Sequence, residues 1–586
     1  MKFLLAAINA KYIHSNPAIY SLKAYAGEEY APHIELGEYT INQSIGEILA
    51  DLYKKKPDII GFSCYIWNFT MVQELLVEVH KLLPDTKIWL GGPEVSFLCQ
   101  ELLQQYPFVT GIMIGEGEET FLSLLKYYLG EGTESLQEIP GIALLEGNTC
   151  ERELVDISKV PFLYTAGDQS GMQDFENRII YYESSRGCPF RCSYCLSSID
   201  KKVRLRDLEL VKKELQFFLD QKAPQVKFID RTFNCNHGHA KTIWQYILEH
   251  DNGITNFHFE VAADLLDEEE LALLAQMRPG LVQLEIGVQT TNPVTLKEIR
   301  RYTNMDKLSN VVEKIHQGQN VHMHLDLIAG LPYEDYDSFA RSFGDVYAMK
   351  PEQLQLGFLK VLKGSYMFEM AEEYGLQYLS KPPYEVLFTK WLSFEEVLRL
   401  KQIEEMVEMY YNSNQFTHTL PLLEQLYENP FYLYEDLAKY YQKQGYFLKA
   451  PARSYRYQVL LQFAKSVDAE RAELYAESLT YDIYLRENAK SRPEFASDIA
   501  PYKAAFHDFF GKEEFVRGLL PHYQVYDLKQ ISKMTHLEWF RYPVWDVERA
   551  KKFERLTEEV KVLFDYQVRS PLTKEAAIFV FEQDVL

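Results

Sequence analysis

Short apolar runs alternate with helical patterns over the first 149 residues of this chain, and this alternation constrains the fold most. The runs predict these strands: Lys2–Ile8, Ile34–Tyr39, Asp58–Ser63, Lys87–Leu90 and Gly111–Ile114. Apolar residues at three-to-four spacing predict these helices: Pro17–Ala26, Thr70–Leu83 and Thr120–Tyr128. Such alternation is typical of a doubly wound parallel sheet. We therefore predict an α/β fold that begins with a Rossmann-like domain over residues 1–149.

The rest of the chain divides into three further parts. Residues 150–177 carry a weaker pattern and are predicted to be a linker. Residues 178–378 contain runs at intervals that suit strand-helix units: Arg178–Glu183, Val226–Ile229, Phe257–Val261, Leu281–Val288, His322–Ile328 and Gln353–Val361. Residues 379–586 are predicted to form a mainly helical domain of unknown role, with a final strand at Val562–Gln567 that returns to the body. The aromatic residues between Phe431 and Phe447 indicate core packing, with a substrate groove as the alternative.

Three cysteines carry the clearest chemical signal. Cys188, Cys192 and Cys195 stand at spacings of four and three residues in one short segment directly after a predicted strand. Three thiolates can hold three irons of a [4Fe-4S] cluster and leave the fourth iron open, whereas an electron-carrying cluster usually takes four. The alternative is a zinc knuckle, but zinc needs a fourth ligand and His237 lies far along the chain.

Composition limits the class of protein and its partners. The 586 residues are 47% hydrophobic and 25% charged, and no apolar run approaches the roughly 20 residues that span a bilayer. Seven cysteines, three of them clustered, fit a reducing compartment, so a cytoplasmic location is expected. The net charge of -24 disfavours a nucleic-acid partner, although a local patch of Lys201, Lys202, Arg204 and Arg206 leaves one conceivable contact.

Glycine-rich loops follow three successive strands of the first domain. Residues 61–64 read Gly-Phe-Ser-Cys, residues 91–94 read Gly-Gly-Pro-Glu, and residues 115–118 read Gly-Glu-Gly-Glu. Ligands in such sheets lie beyond the carboxyl ends of the strands, where glycine lets backbone approach them closely. Together with the cysteine segment, these loops resemble the cobalamin-binding-domain branch of the radical S-adenosylmethionine (SAM) enzymes.

The resemblance implies three cofactors: a [4Fe-4S] cluster, SAM and cobalamin. The cluster ligands would be Cys188, Cys192 and Cys195, within a partial (β/α)6 barrel over residues 178–378. Cobalamin would lie against these residues of the strand-end loops: Ser63, Gly91, Gly92, Pro93, Gly115, Glu116 and Gly117. The loop after the first strand lacks the Asp and Gly of a cobalt-ligating histidine motif, so His14 is interpreted as a surface or helix-capping residue.

The resemblance also implies which barrel residues contact SAM. They are the aromatic Tyr194 before the last cysteine and residues near four strand ends: Asp230, Glu260, Glu285, Gln289, Ile328 and Gly330. Several alternatives stay open. Asp230 could pair with Arg231, Glu260 could make an ion pair inside the barrel, and Gln289 could be a structural amide. The nearby group Cys235, His237 and His239 is interpreted mainly as the cap of the next helix.

In members of the resembled family, a low-potential donor reduces the cluster and SAM yields a 5'-deoxyadenosyl radical. The expected function is therefore cobalamin-dependent methyl transfer to an unactivated carbon of a small or peptide-like substrate. Expected partners are an electron donor such as flavodoxin or ferredoxin, with no membrane. The alternatives are a non-methylating radical enzyme that performs cyclisation, rearrangement or ring contraction, and a cobalamin-binding sensor with a structural cluster. The pattern identifies no catalytic residue.

Overall fold

The computed structural model describes residues 1–10, 14–133, 135–164 and 178–582. The predicted linker 150–177 therefore lies partly outside the described residues. Contacts group the described residues into two compact units. The first unit comprises 1–335 and 357–394, and the second comprises 336–356 and 395–586.

The first unit opens with a seven-stranded sheet in the order β2-β1-β3-β4-β5-β6-β7. Its strands are β1 Phe3–Asn9, β2 Ile34–Thr40, β3 Ile59–Ser63, β4 Lys87–Gly91, β5 Val109–Met113, β6 Ile142–Leu144 and β7 Gly147–Asn148. The first five pair in parallel, as predicted, while β6 and β7 form an antiparallel edge. The α/β Rossmann-like prediction is confirmed.

Helices cover both faces of this sheet. They are α1 Pro17–Ala26, α2 Ile45–Lys55, α3 Phe69–Leu82, α4 Cys99–Gln105 and α5 Glu118–Leu129. Strand β1 is buried along its whole length, because alternate residues enter hydrophobic clusters on opposite faces. The apolar start of the chain is thus a central strand, as expected.

A six-stranded sheet in the order β15-β14-β13-β12-β11-β8 forms the barrel. Its strands are β8 Ile180–Tyr182, β11 Gln225–Phe228, β12 Asn256–Val261, β13 Val282–Gln289, β14 His322–Ala329 and β15 Gln353–Phe358. Two short strands pair outside it, β9 Ser185–Arg186 and β10 Arg204–Leu205. The intervening helices are α6 Leu208–Asp220, α7 His237–Glu249, α8 Glu268–Ala275, α9 Pro293–Glu298, α10 Met305–Gly318 and α11 Tyr336–Ala348. All six predicted strands are present.

A short segment after the barrel completes the first unit. It holds α12 Tyr366–Glu369 and the hairpin of β16 Gln377–Tyr378 with β17 Val386–Phe388. The Tyr384 hydroxyl donates to Glu94 at the end of the Gly-Gly-Pro-Glu loop, and Val386 packs against Gly330. The first unit is therefore closed by residues that follow the barrel.

The second unit is mainly helical, as predicted. After α11 its helices are α13 Phe394–Met406, extended by a π-helical turn at Val407–Tyr411, α14 Leu420–Glu424, α15 Pro430–Gln444, α16 Tyr446–Lys449, α17 Arg453–Val467, α18 Ala472–Arg486, α19 Lys503–Gly511, α20 Glu513–Leu519, α21 Leu528–Met534 and α22 Val547–Ala550. Its three-stranded antiparallel sheet consists of β18 Thr535–Phe540, β19 Val560–Arg569 and β20 Ala576–Phe581.

Two expectations for this unit have clear outcomes. Phe431, Tyr434 and Tyr441 are fully buried, which confirms core packing of the aromatic stretch. The final strand exists within β19, but it pairs with β18 and β20, so the expectation that it returns to the body was wrong. Among the described residues, no helix combines the length and apolar character needed to cross a bilayer.

Candidate active site

The three cysteines lie in a loop just beyond the carboxyl end of β8, and we call residues 187–195 the cysteine loop. Gly187 opens it with φ +95°, and a Cβ there would stand 2.5 Å from the carbonyl oxygen of Lys202, so the turn requires glycine. Cys188 and Cys192 are buried, and Cys195 is partly exposed. Barrel enzymes build their sites at this end of the strands.

Backbone hydrogen bonds hold the cysteine loop on three sides. The Cys188 N–H donates to Asp200 at 3.1 Å, and the Ser193 N–H donates to Ile299 at 2.9 Å. The Met367 N–H in turn donates to the Ser193 carbonyl at 2.8 Å. The loop therefore has a fixed backbone before any metal is bound.

The three sulfur atoms are spread more widely than one ion needs. Among the described residues, the ligand atoms that lie within 4.8 Å of one another belong to His237, Asp267 and Glu270, and the cysteine sulfurs form no such group. Sulfur ligands of one tetrahedral zinc ion would stand about 3.8 Å apart, given Zn–S bonds of about 2.3 Å. At least one of the three sulfur separations, being above 4.8 Å, is therefore wider than a single zinc ion requires.

Arg301 is a neighbour of the cysteine loop that the sequence did not reveal. Its Nη1 lies 3.8 Å from the Cys192 sulfur, and its Nη2 donates to the Gly287 carbonyl. Burial lowers the pKa of this guanidinium, but the Tyr194 and Cys192 groups beside it raise the pKa by more. A permanent positive charge thus borders one cysteine.

Asp230 lies behind the cysteine loop with its carboxylate fully engaged. It accepts the Ser184 N–H at 3.0 Å and the Ser184 hydroxyl at 2.7 Å, and the residue is 1% exposed. Burial raises its pKa to about 6, although hydrogen bonds from Ser185 and Ser184 act in the opposite direction. Asp230 pairs with Ser184 rather than with Arg231, and it anchors the end of β8 ahead of the cysteines.

The inner face of the barrel, which we call the lumen, is lined by alternate residues of β11 to β14. The polar ones are Lys227, His258, Glu260, Gln283, Glu285, Gln289, His322, His324 and Asp326. Glu285 lies 2.9 Å from Lys227 and 3.0 Å from His258. Burial alone would raise the pKa of Glu285, but His258 and Lys227 lower it to about 2. Glu285 is thus an ion-paired carboxylate.

For two other lumen acids, burial outweighs the effect of the positive charges nearby. Burial raises the pKa of Glu260 to about 7. Burial, with the negative charges of Glu285 and Glu260, raises the pKa of Asp326 to about 8. Both groups are therefore protonated to a large extent near neutral pH and can donate as well as accept hydrogen bonds.

Two buried oxygens in the lumen lack a hydrogen-bond partner among the described residues. They are Oε1 of Gln289 and Oδ1 of Asp326. Gly287 stands opposite Asp326 in the strand register, and the Gln289 amide folds over Gly287, where any Cβ would collide with it. Buried acceptors without donors are costly, so this pair is suited to a ligand that carries hydroxyl or ammonium groups.

Three of the residues predicted to contact SAM lie close to the hydrophobic residues that follow the barrel. Ile328 shares the lumen face with Asp326, and Tyr194 and Ile328 pack on the cluster of hydrophobic residues after the barrel. Gly330 has φ +89°. Val386 occupies the space that a side chain at 330 would need, 2.8 Å from an ideal Cβ. The need for glycine at 330 therefore comes from the hairpin as well as from the backbone conformation.

One cavity of about 490 Å³ brings together every residue predicted to contact cobalamin, and we call it the N-terminal cavity. These residues are Ser63, Gly91, Gly92, Pro93, Gly115, Glu116 and Gly117. Most of the remaining lining is aromatic or aliphatic, including Tyr65, Phe97 and Phe162. The cavity also reaches Arg186, Leu196 and Ile199, which flank the cysteine loop. It lies within the first unit and connects the two sets of strand ends.

The glycines of this cavity act in different ways. Gly115 has φ +73° and no atom within 4 Å of an ideal Cβ, so its backbone faces open space that a side chain would fill. Gly92 has φ +111°, and a Cβ there would stand 2.5 Å from the Cys64 carbonyl oxygen. Gly115 is thus free to approach a ligand, whereas Gly92 is required by packing.

The Glu116 carboxylate is taken up by ion pairs. It lies 2.5 Å from Arg204 and 3.4 Å from Arg186, and it accepts the Val155 N–H at 2.9 Å. Burial raises the pKa of Glu116, but Arg204 and Arg186 lower it on balance. Only the backbone of Glu116 remains for a ligand in the cavity.

His14 is buried, so its interpretation as a surface or capping residue was wrong. Asn16 caps α1 instead, because its side chain accepts the Ile19 N–H. The His14 Nδ1 lies 2.7 Å from the Ser15 carbonyl, and Nε2 lies 3.2 Å from the Ala10 N–H. One ring nitrogen donates and the other accepts, which leaves no lone pair for cobalt.

The group at residues 235–239 has dispersed roles. Asn236 caps α7 through the His239 N–H, which agrees with the capping interpretation. His239 is buried with Nε2 3.1 Å from the Ser184 hydroxyl, and burial lowers its pKa to about 4. His237 points elsewhere, 3.1 Å from Glu270.

Only part of the basic patch suggested by the sequence is exposed. Arg206 is buried against Glu214 at 2.5 Å, and Arg204 is engaged by Glu116 and Asp200. Lys201 and Lys202 remain exposed. The local case for a nucleic-acid contact is correspondingly weaker.

Three family models match the chain in succession. The B12 binding domain matches residues 4–125, and the radical SAM superfamily matches residues 182–346. The third model, described as a protein of unknown function (DUF4080), matches residues 372–564.

Curated relatives match about half of the chain. The cobalamin-dependent radical SAM methyltransferase TokK of Streptomyces tokunonensis is 24% identical over 56% of this chain and 51% of its own length. The anaerobic magnesium-protoporphyrin IX monomethyl ester cyclase of Cereibacter sphaeroides is 22% identical over 54% and 53%. The hopanoid C-3 methylase of Methylococcus capsulatus is 24% identical over 46% and 53%. The chain spans about half the length of these relatives.

Solved structures share the fold. OxsB, a cobalamin-dependent SAM radical enzyme with aqua-cobalamin and SAM bound, aligns with a TM-score of 0.55 at 15% identity, over 90% of this chain and 80% of its own. TsrM from Kitasatospora setae, a radical SAM methyltransferase with cobalamin and a [4Fe-4S] cluster, aligns with a TM-score of 0.54 at 18% identity, over 66% and 79%. Along its length the chain thus matches, in this order, a B12 binding domain, the radical SAM superfamily and DUF4080.

Proposed function

We propose that this protein is a cobalamin-dependent radical SAM methyltransferase that acts on an unactivated carbon of a small or peptide-like substrate. One observation carries the proposal. The N-terminal cavity is lined by all seven residues predicted for cobalamin and extends to residues that flank the cysteine loop. Methyl transfer from a bound carrier requires such proximity of two sites.

Cys188, Cys192 and Cys195 would hold three irons of a [4Fe-4S] cluster, since they lie in one loop whose backbone is held by hydrogen bonds on three sides. When bound, the cluster with SAM supplies one-electron chemistry and cobalamin supplies a methyl carrier. The protein supplies placement. In this proposal Asp230 positions the cysteine loop through Ser184 instead of binding SAM directly with its carboxylate.

SAM would lie over the lumen near the strand ends. The unpartnered oxygens of Gln289 and Asp326 would accept hydrogen bonds from its hydroxyl or ammonium groups. Glu285 is held by Lys227 and His258, so we assign it to fixing the lumen, and Glu260 remains available to SAM or substrate. Tyr194, Ile328 and the Gly330 backbone would bound the adenine side.

Cobalamin would occupy the N-terminal cavity against the open backbone at Gly115, with Ser63, Gly91, Gly92, Pro93 and Gly117 around it. His14 would not reach the cobalt, because both of its ring nitrogens already have partners. The aromatic lining would exclude water from this side of the site.

A low-potential reductant such as flavodoxin or ferredoxin is required by this chemistry and is part of the proposal. So is a cytoplasmic location, which seven unpaired cysteines favour. Relatives named as methyltransferases, TokK and the hopanoid methylase, support methyl transfer over the non-methylating alternative.

Anaerobic reconstitution with iron, sulfide and hydroxocobalamin tests the proposal. We expect cluster and cobalamin absorption bands, and reductant-dependent release of 5'-deoxyadenosine from SAM. With SAM that carries a deuterated methyl group, the label should enter the product once a substrate is identified from neighbouring genes. Radical turnover without label in the product would point to the non-methylating alternative, and absence of any SAM cleavage would contradict the proposal.

A further inference from the structure

Arg301 is unusual because its guanidinium contacts a cysteine sulfur rather than a carboxylate. Among the ion pairs between described residues, none within 4.0 Å includes Arg301, and its Nε is buried without a hydrogen-bond partner. The Asp326 carboxyl feels its charge only at longer range, and burial keeps that carboxyl largely protonated with a pKa of about 8. A partly buried guanidinium therefore faces the Cys192 sulfur at 3.8 Å without a formal counter-ion.

The position of Arg301 is fixed by the backbone around it. The Arg301 N–H donates to the Leu296 carbonyl at 2.9 Å, which ties it to the end of α9. Two residues earlier, the Ile299 carbonyl accepts the Ser193 N–H of the cysteine loop at 2.9 Å. The guanidinium and the cysteine loop therefore belong to one braced structure, and the Gly287 carbonyl holds the outer end of the side chain.

We infer that Arg301 is a positioning and charge-compensating residue that raises the reduction potential of the cluster. The inference rests on the proposed function, because it assumes a [4Fe-4S] cluster on Cys188, Cys192 and Cys195. Such a cluster with three thiolates changes from one to two net negative charges when it accepts one electron. A fixed positive charge beside a ligand sulfur stabilises the reduced form more than the oxidised form, since local charge and hydrogen bonds to sulfur set cluster potentials.

This role has a consequence for the electron donor. Acceptance of an electron next to SAM is unfavourable in a protein with a net charge of -24. Arg301 makes this step more favourable at the one iron ligand that it contacts. Loss of its charge should move the cluster out of reach of weaker donors.

The matched control is Arg300. It is the adjacent arginine, it is exposed, and its guanidinium stacks on the Tyr366 ring at 3.7 Å instead of contacting a cysteine. Arg300→Gln removes the same charge from a solvated position, where screening makes its effect on the cluster small.

The experiment is an EPR-monitored redox titration of the reconstituted full-length protein without SAM, so that only the charges of the protein act on the cluster. In Arg301→Gln we expect the midpoint to become more negative by at least a tenfold change in the equilibrium constant, which is 59 mV for a one-electron couple. Arg300→Gln should keep the wild-type midpoint. An unchanged midpoint in Arg301→Gln with full iron content, or an equal shift in Arg300→Gln, would overturn the inference.

A second measurement does not depend on the variant assembling its cluster. Wild-type protein grown with 15N-guanidino arginine should show a 15N coupling to the reduced cluster in pulsed EPR, and Arg300→Gln should retain it. Absence of this coupling also overturns the inference. If the wild-type protein assembles no cluster at all, the failure belongs to the proposed function and not to the role of Arg301.

Discussion

The N-terminal cavity and the lumen meet at the cysteine loop, yet they are built from opposite kinds of residue. Aromatic side chains and open glycine backbone line the cavity, whereas ion pairs, histidines and acids with a raised pKa line the lumen. A cavity of the first kind selects a large ligand by shape, and a lumen of the second kind selects a polar ligand by hydrogen bonds and charge. The difference indicates that the two sites can be disabled separately.

The largest expected effect comes from Cys192→Ala. Loss of one of three thiolates should prevent cluster assembly and lower SAM cleavage by more than about a hundredfold, beyond what changes outside the ligand shell usually cause. Cobalamin binding to the N-terminal cavity should persist, as measured by absorption spectra after gel filtration. Cys150→Ala, at an exposed thiol, is the matched control and should keep the iron content. Loss of both cofactors in Cys192→Ala would mean that the two sites are not separable.

A smaller effect, on cobalamin binding instead of cluster assembly, is expected from Gly115→Leu. The new side chain would enter the open space of the cavity and should weaken cobalamin binding by about tenfold or more, which is about 1.4 kcal/mol. Gly130→Leu controls for backbone strain, since Gly130 has φ +77°, no atom within 4 Å of an ideal Cβ and no place in the cavity lining. Each change should cost roughly 1–2 kcal/mol of folding free energy through the left-handed backbone. Equal cobalamin affinity in the two variants would remove Gly115 from the site.

The smallest effect concerns the pH dependence of stability. The pKa of Asp326 rises from 3.8 to about 8 on folding, so the unfolded chain loses this proton first. The stability that this group contributes is therefore fully present below the unfolded pKa, and it is lost as pH rises from the unfolded pKa to the folded pKa. Asp326→Asn should remove this dependence. The thermal midpoint of the variant minus that of the wild type should therefore increase between about pH 5 and about pH 7. Parallel midpoints in wild type and variant would show that Asp326 is ionised in the folded protein.

The strand ends and the cysteine loop could be predicted because their signals are local in the sequence. Gly91-Gly92-Pro93 stand together at the end of β4, and the three cysteines stand together after β8, so each signal falls within one strand-end loop. Asp230 was predicted to contact SAM, but the sequence could not tell that Ser184 would occupy its carboxylate.

The lumen was harder because its partners come from different strands. Glu285 faces Lys227 and His258 only through the register of β11, β12 and β13. One signal was available, since polar residues alternate along His322, His324 and Asp326 with the period of a strand that has a polar inner face. Arg301 gave no such signal, because a loop contact brings it to Cys192.

The closing segment of the first unit bears on how the protein can be divided. The DUF4080 match begins at residue 372, yet Val386 fills the space beside Gly330 and the Tyr384 hydroxyl holds Glu94. A fragment cut at the family boundary would lose both supports. A truncation that keeps both contacts must therefore extend beyond the start of the DUF4080 match, through Phe394 at the end of the first unit.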